Sequence, residues 1–276
     1  MRRHELSDEE WEFVRPLLPE SLRGRKRLDD RTVLNGIVWK FRTGTAWRDV
    51  PGRYGPWATL HRRFRRWALD GTSERMLEAA QARADTAGEI DWLVSVDSTV
   101  VRARQHAAGA RKKGIRSPDL GRSRGGLTSK IHLACDAFGR PLAVVVTGGN
   151  TDDCTQFTTL REVIRVPRLG PGRPRVRPAH VLGYKGYSSR AIRTWLRRRG
   201  ISHTIPERAD QVRNRLRRGS RCGRPPAFDK QFYKRRNVVD RCFNRLKQWR
   251  GIATRYDKTA ESYKAAVNLA SLLMWA

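Results

Sequence analysis

Apolar positions near the start of the chain recur at helical spacing. In "LSDEEWEFVRPLLPE", Trp11, Val14, Leu17 and Leu18 fall about one turn apart, and Ser7 with Glu10 opens the run as a capping-box pattern. "DDRTVLNGIVWKFRTG" puts Val33, Leu34, Ile37, Val38 and Phe41 on one face and stops at Gly44. A Pro/Gly-rich turn, "WRDVPGRYGP", leads into "WATLHRRFRRWALDG", where Leu60, Phe64 and Trp67 stand at i, i+4 and i+7 among arginines. This spacing predicts a helical head over residues 1–85 whose third helix is basic. It fits a helix-turn-helix-like DNA-binding domain and equally a plain helical bundle.

From residue 91 the period changes. "DWLVSVDSTVV" is a β-rich run that is expected to close near Asp97, with Leu93 and Ser95 on the side of Asp97 and Val94 and Val96 opposite. The basic, Gly-rich stretch "RARQHAAGARKKGIRSPDLGRSRGG" reads as a mobile loop that orders on a polyanion. "LTSKIHLACD" and "RPLAVVVTGG" predict two strands joined around "AFG". "TDDCTQFTTLREVI" predicts a helix, "AHVLGY" a strand, "SSRAIRTWLRRRG" a helix and "ISHTIPE" a strand. "NRLRRGSRCGRPPAFD" reads as a second basic loop before two helices, Lys230–Trp249 and Thr259–Trp275. The order β-β-β-α-β-α-β-α over residues 90–276 is that of a ribonuclease H-like α/β fold, a mixed sheet with helices on both faces.

Charge changes the picture. The chain has 276 residues and carries 58 Lys+Arg against 27 Asp+Glu, a net charge of +31. That excess points to a polyanionic partner, nucleic acid first. Nine Trp and 38% hydrophobic residues suit a packed body rather than a small ribosomal protein. The four cysteines are scattered without a C-x-x-C pair, which argues against a zinc site or a disulfide framework. No apolar run reaches the ~18–20 residues of a membrane span, and "MRRHELSDEEWEF" lacks the apolar stretch of a signal peptide. A cytoplasmic protein is expected.

One acid stands out against this basic background. In "YKRRNVVDRCFNRLKQWRGIATRYDK", Asp240 is surrounded by cations, and Tyr233, Arg236 and Lys247 lie at offsets of 3, 4 and 7 along one helical stripe. Val238, Val239, Cys242, Phe243 and Leu246 supply the buried side. An i,i+4 ion-pair ladder on a solvated face would look the same. A lone Asp97 by itself reads as a cap or turn residue.

Together these segments resemble a known family. "Y-x2-R-x3-D-x6-K" is similar to the tyrosine–arginine–glutamate–lysine signature of bacterial insertion-sequence DDE transposases, with Asp240 where that family has Glu. "VDSTVVRARQHAAGA", "GGNTDDCTQF", "RNVVDRCFNRLKQWRGIATRYDK" and the helical head resemble the insertion sequence family 5 group along essentially the whole chain. The resemblance implies three carboxylates holding a pair of Mg²⁺ (or Mn²⁺) ions ~3.5–4 Å apart, with Asp97 as the first acid and Asp240 as the third. It implies that Tyr233, Arg236 and Lys247 grip double-stranded DNA near the scissile phosphate, and that the protein acts as a homo-oligomer on its element's terminal repeats, in a bacterium on the nucleoid. In the head, the helix Trp57 to Leu69 is the candidate for base readout, with Arg62, Arg63 and Arg66 as DNA contacts and His61 as a satisfied polar residue.

The family's second acid is missing. Where it reads alanine–aspartate–lysine–glycine–tyrosine, this chain reads Gly183-Tyr184-Lys185-Gly186-Tyr187. A phenol of pKa near ~10 is a poor Mg²⁺ ligand, and Asp240 falls short of Glu by one C–C bond, ~1.5 Å. Asp152 reads as a cap or first-turn residue, Asp153 follows it, and Asp136 belongs to a hairpin turn. Two functions follow: a metal-dependent transposase with impaired chemistry, or a non-catalytic DNA-binding protein. An RNA-binding reading lacks an RNP-type strand motif or a KH-type clamp.

Overall fold

A computed structural model describes residues 4–19, 28–108, 119–222 and 224–276. The basic segment Ser21–Arg27 and the tract Arg111–Gly114 of the expected mobile loop lie outside these residues.

The head begins with α1 (Asp8–Val14), capped as its sequence requires: Ser7 Oγ accepts from the Glu10 N–H at 3.0 Å, and Glu10 Oε2 accepts from the Ser7 N–H at 2.9 Å. Helix α2 (Asp30–Thr43) starts on Asp29 and ends on Gly44, whose φ of 73° a side chain would strain. Helix α3 (Trp57–Leu69) buries Leu60, Phe64 and Trp67. It crosses α2 at Gly36, where an added Cβ would come within 2.7 Å of Leu60. Helix α4 (Thr72–Thr86), which the apolar pattern did not single out, follows after Asp70 and Gly71.

The sheet begins with β1 (Leu93–Ala103). After the short α5 (Gln105–Ala108) come β2 (Gly121–Ser123), β3 (Gly126–Cys135) and β4 (Pro141–Gly148), then α6 (Asp153–Val163) and β5 (His180–Gly183). Helix α7 (Arg190–Arg198), β6 (Ser202–Thr204) and α8 (Ala209–Arg218) complete the middle of the chain. Strands β1, β3 and β4 are antiparallel neighbours, and β5 and β6 add in parallel on the far side of β1. This is the mixed α/β, ribonuclease H-like sheet expected from the element order, with helices on both faces.

Four segments differ from the sequence reading. Asp97 does not close β1, because antiparallel pairing with β3 continues from Ser95↔Cys135 to Arg102↔Thr128; what ends beside Asp97 is the parallel partner, whose last pair is Val96↔Gly183. The expected loop from Arg102 is therefore partly regular: strand to Ala103, helix at Gln105–Ala108 and strand again at Gly121–Ser123. The expected helix Lys230–Trp249 is broken into α9 (Lys230–Tyr233), a 3₁₀ turn at Lys234–Arg236 and α10 (Asn237–Lys247), followed by α11 (Arg250–Ala253) and β7 (Thr254–Arg255), which pairs with the end of β1. Residues 214–218 of the second basic loop are helical, as the last turns of α8.

Helix α12 (Ala260–Leu272) joins the two halves. It packs on α3, α4 and β4, so the head and the sheet share one apolar core. From α4, Gln81 Nε2 donates to the carbonyls of Pro141 and Leu142 at 3.0 and 3.1 Å. Lys40 of α2 lies buried 3.8 Å from Asp257 and 3.9 Å from the Phe41 ring centre; burial lowers its pKa and Asp257 opposes that.

Candidate active site

Residues 97 and 99 of β1 point to the face covered by α10, and residues 98 and 100 point to the face covered by α6. Cross-strand partners share a face, so the register Asp97↔Leu133, Ser98↔His132, Thr99↔Ile131 and Val100↔Lys130 sorts the neighbours. Val94 and Val96 line a small cavity with Phe157, Leu160 and Leu196 on the α6 side, opposite Asp97.

On the α10 face, Arg236 closes a ring of charge. Its Nη1 donates to Asp97 Oδ2 at 2.6 Å and its Nη2 to Asp240 Oδ2 at 2.7 Å. The 3₁₀ turn before α10 sets this geometry, and Arg236 and Asp240 then stand one helical turn apart. Asp97 is 13% exposed and Asp240 45% exposed. Burial raises the Asp97 pKa, against the Ser98 N–H, which donates at 2.8 Å, and the Arg236 charge. Burial also works against the Arg236 cation, but Asp97 and Asp240 outweigh it and raise its pKa. Further along α10, Lys247 Nζ donates to Thr99 Oγ1 at 2.6 Å, and burial lowers its pKa.

Tyr184 stands next to this ring. It follows the last parallel pair, Val96↔Gly183, in extended backbone (φ −68°, ψ 160°), which sets it beside Asp97 on the same face. The Arg236 guanidinium lies 5.5 Å from the Tyr184 ring and 5.9 Å from that of Tyr233. Burial raises the Tyr233 pKa. The structure thus brings Asp97, Asp240, Tyr184, Tyr233, Arg236 and Lys247 to one sheet edge.

Asp152 and Asp153 are engaged elsewhere. Asp152 caps α6, accepting from the Cys154 N–H at 2.8 Å. Asp153 Oδ1 lies across the sheet from Asp97, accepting from Ser98 Oγ at 2.8 Å and Lys130 Nζ at 3.0 Å. Its neighbour His132 is buried, and that burial lowers the imidazole pKa to about 4, so the contact at 3.9 Å is not an ion pair at neutral pH. No pattern in the sequence singled out Ser98, Lys130 and His132; their common face is a product of strand register.

Mg²⁺-type cations take oxygen ligands from several carboxylates or carbonyls. Among the described residues no group of three His, Cys, Asp or Glu could hold a metal ion. Arg236 already spans the pair of carboxylates that face each other, and a tyrosine stands beside them. This donor set does not fit a two-cation centre.

On α3, Arg62 and Arg66 are exposed, as is Arg65. Arg63 is not free: it pairs with Asp30 and lies 5.8 Å from the Trp67 ring centre. His61 packs against Trp47 at 5.3 Å, and burial lowers its pKa.

Comparison with known proteins adds family identity to this geometry. Residues 89–275 match the family model described as "Transposase DDE domain", whose members generally use divalent metal ions, and residues 6–77 match "Putative transposase of IS4/5 family". A protein of Brucella ovis described as "Putative transposase for insertion sequence element IS6501" is 28% identical over 149 residues, 54% of this chain and 98% of that protein. One of Burkholderia cepacia, "Putative transposase for insertion sequence element IS402", is 34% identical over 146 residues, 53% of this chain and 62% of that protein. An uncharacterized protein of Sinorhizobium fredii, y4sN, is 40% identical over 116 residues, 41% of this chain and 89% of that protein.

Proposed function

The chain belongs to the DDE transposase family, and from that premise we propose that it is an insertion-sequence protein that grips the element's terminal repeats with an impaired catalytic centre. In this reading residues 1–85 and 90–276 divide the work: the head recognises the terminal repeat through α3, and the sheet domain presents the Asp97–Asp240 edge to the scissile phosphate. Tyr233 and Lys247 flank that edge, and Arg62 and Arg66 carry the phosphate contacts of the head. The protein acts as a homo-oligomer on double-stranded DNA, in the compartment that holds the chromosome.

The observation that carries the impairment is the Arg236 bridge between Asp97 and Asp240 with Tyr184 in register beside it. A guanidinium there neutralises the carboxylates from within the chain, and a phenol replaces the oxygen anion that a metal would need. A misplacement of ~1 Å can already cost ~10²-fold in rate, and the shortened Asp240 adds to that loss.

The experiment is cleavage of a linear fragment carrying the terminal repeats, with and without Mg²⁺ or Mn²⁺. The chain as it stands is expected to bind without nicking, and the double variant Tyr184→Asp, Asp240→Glu to nick in a metal-dependent way. Metal-dependent nicking by the unaltered chain would sink the impairment. A folded double variant that binds the repeats but never cuts would favour the second reading, a purely DNA-binding protein, which the same Arg236 bridge supports.

A further inference from the structure

Helix α8 (Ala209–Arg218) buries no residue. Its inner side is tied down by polar contacts instead of a core: Gln211 Nε2 donates to the Ser188 carbonyl at 2.7 Å, Ser188 Oγ donates to Gln211 Oε1 at 2.6 Å, and Arg215 pairs with Glu207 at 2.9 Å. Ser188 is 2% exposed and follows the turn Lys185–Tyr187, directly after Tyr184. Helix α8 therefore leaves the body at the sheet edge that carries Asp97 and Tyr184.

The outer side is different. Arg213, Arg217 and Arg218 are exposed, and none has an acidic partner among the described residues. Arg213 and Arg217 are one turn apart, where like charges repel. An isolated helix shorter than ~12–15 residues is marginal in water. Cations in the last turn do favour the helix dipole, but Arg213 is not in that turn. A solvated helix whose outer cations outnumber its one acid, Asp210, itself paired with Arg208 at 3.4 Å, matches a regular row of anions better than it matches water.

We propose that α8 is a docking helix for the phosphate backbone of duplex DNA, with Arg213, Arg217 and Arg218 as the contacts that hold the duplex against the Asp97–Asp240 edge. The assignment rests on the DNA-binding reading above and adds to it a surface outside the helical head.

The test is the salt dependence of binding to a short duplex of arbitrary sequence, since phosphate contacts carry no sequence information. Each lost phosphate contact lowers the slope of log K against log salt by about 0.9, so R213A/R217A/R218A is expected to reduce it by about 2–3. Its melting temperature should stay that of the parent chain, because these side chains bury nothing. The control R168A/R173A/R177A removes the same charge from the segment leading into the opposite end of β5 and is expected to leave the slope nearly unchanged. Equal losses in both triples would reduce the effect to bulk charge and overturn the docking site, as would an unchanged slope in the α8 triple. A parent chain that binds no duplex at all would bring down the DNA reading itself. On the unaltered protein, phenylglyoxal labelling read by mass spectrometry should show Arg213, Arg217 and Arg218 protected by DNA; full labelling of all three in the complex would also overturn the assignment.

Discussion

The faces of β1 carry similar chemistry to different ends. On the α6 face, Asp153 is held by Lys130 and Ser98 beside a neutral, buried His132. On the α10 face, Asp97 is held by Arg236, and a second carboxylate, Asp240, completes the ring at the open edge. Both aspartates are largely buried next to a cation, so neither burial nor an ion pair identifies a reacting group. What separates them is the surroundings. The α6 network is tied to β1, β3 and α6, whereas the Arg236 bridge ends on the half-exposed Asp240 beside the Tyr184 ring and the end of a parallel strand.

The sharpest way to break this contrast is Asp153→Ala. It leaves Lys130, 13% exposed, with the Thr151 carbonyl but without its carboxylate, and removing one partner of a largely buried pair costs up to about 3–5 kcal/mol. Urea unfolding should show that loss with DNA binding otherwise preserved. A loss below ~1 kcal/mol would mean that the α6 face is not a structural support.

The next effect is smaller and depends on pH. His132 has a folded pKa of about 4 against a reference of 6.5, so the folded state resists a proton that the unfolded state accepts. Stability is therefore whole above pH 6.5 and falls as pH drops from 6.5 toward 4. About 3 kcal/mol is at stake, at 1.36 kcal/mol per pKa unit. His132→Asn should flatten the acid limb of a stability–pH curve; an unchanged limb would place the proton uptake elsewhere.

The smallest effect belongs to the open face. Asp240 is 45% exposed, and exposed pairs contribute about 0–1 kcal/mol. Asp240→Asn should shift the melting temperature little. A destabilisation as large as that of Asp153→Ala would erase the distinction between the faces.

Legibility followed the range of the forces involved. Capping at Ser7 and Glu10, the stop at Gly44 and the buried positions of α2 and α3 are local, and the residue pattern predicts them. The end of β1 is not legible from its own segment, because its length is set by β3, some thirty residues away, not by the polar residues after Val96. The helix break at Lys234–Arg236 is equally invisible in a run of good helix formers; it arises where Arg236 turns in to reach Asp97. Residues 214–218, the last turns of α8, read as loop because the helix has only Val212 and Leu216 as large apolar residues and buries neither. Within the site, Asp240, Arg236 and Lys247 stand out by residue type and spacing and Asp97 only by the family resemblance, while none of their contacts is legible. The spacing placed Arg236 and Asp240 on one stripe, and only the fold shows that this stripe faces Asp97. The α6-face network needed strand register, which no single segment encodes.

The seal made by α12 sets a schedule for the growing chain. The faces of α3 and α4 that it covers leave the ribosome well before Ala260 does, a lag of ~10–40 s at ~5–20 residues per second. During that interval Phe64, Trp67 and Met76 lack their final cover. A copy of the gene interrupted anywhere before codon 260 would yield a head that never closes, and the cell would meet it as a substrate for chaperones and proteases.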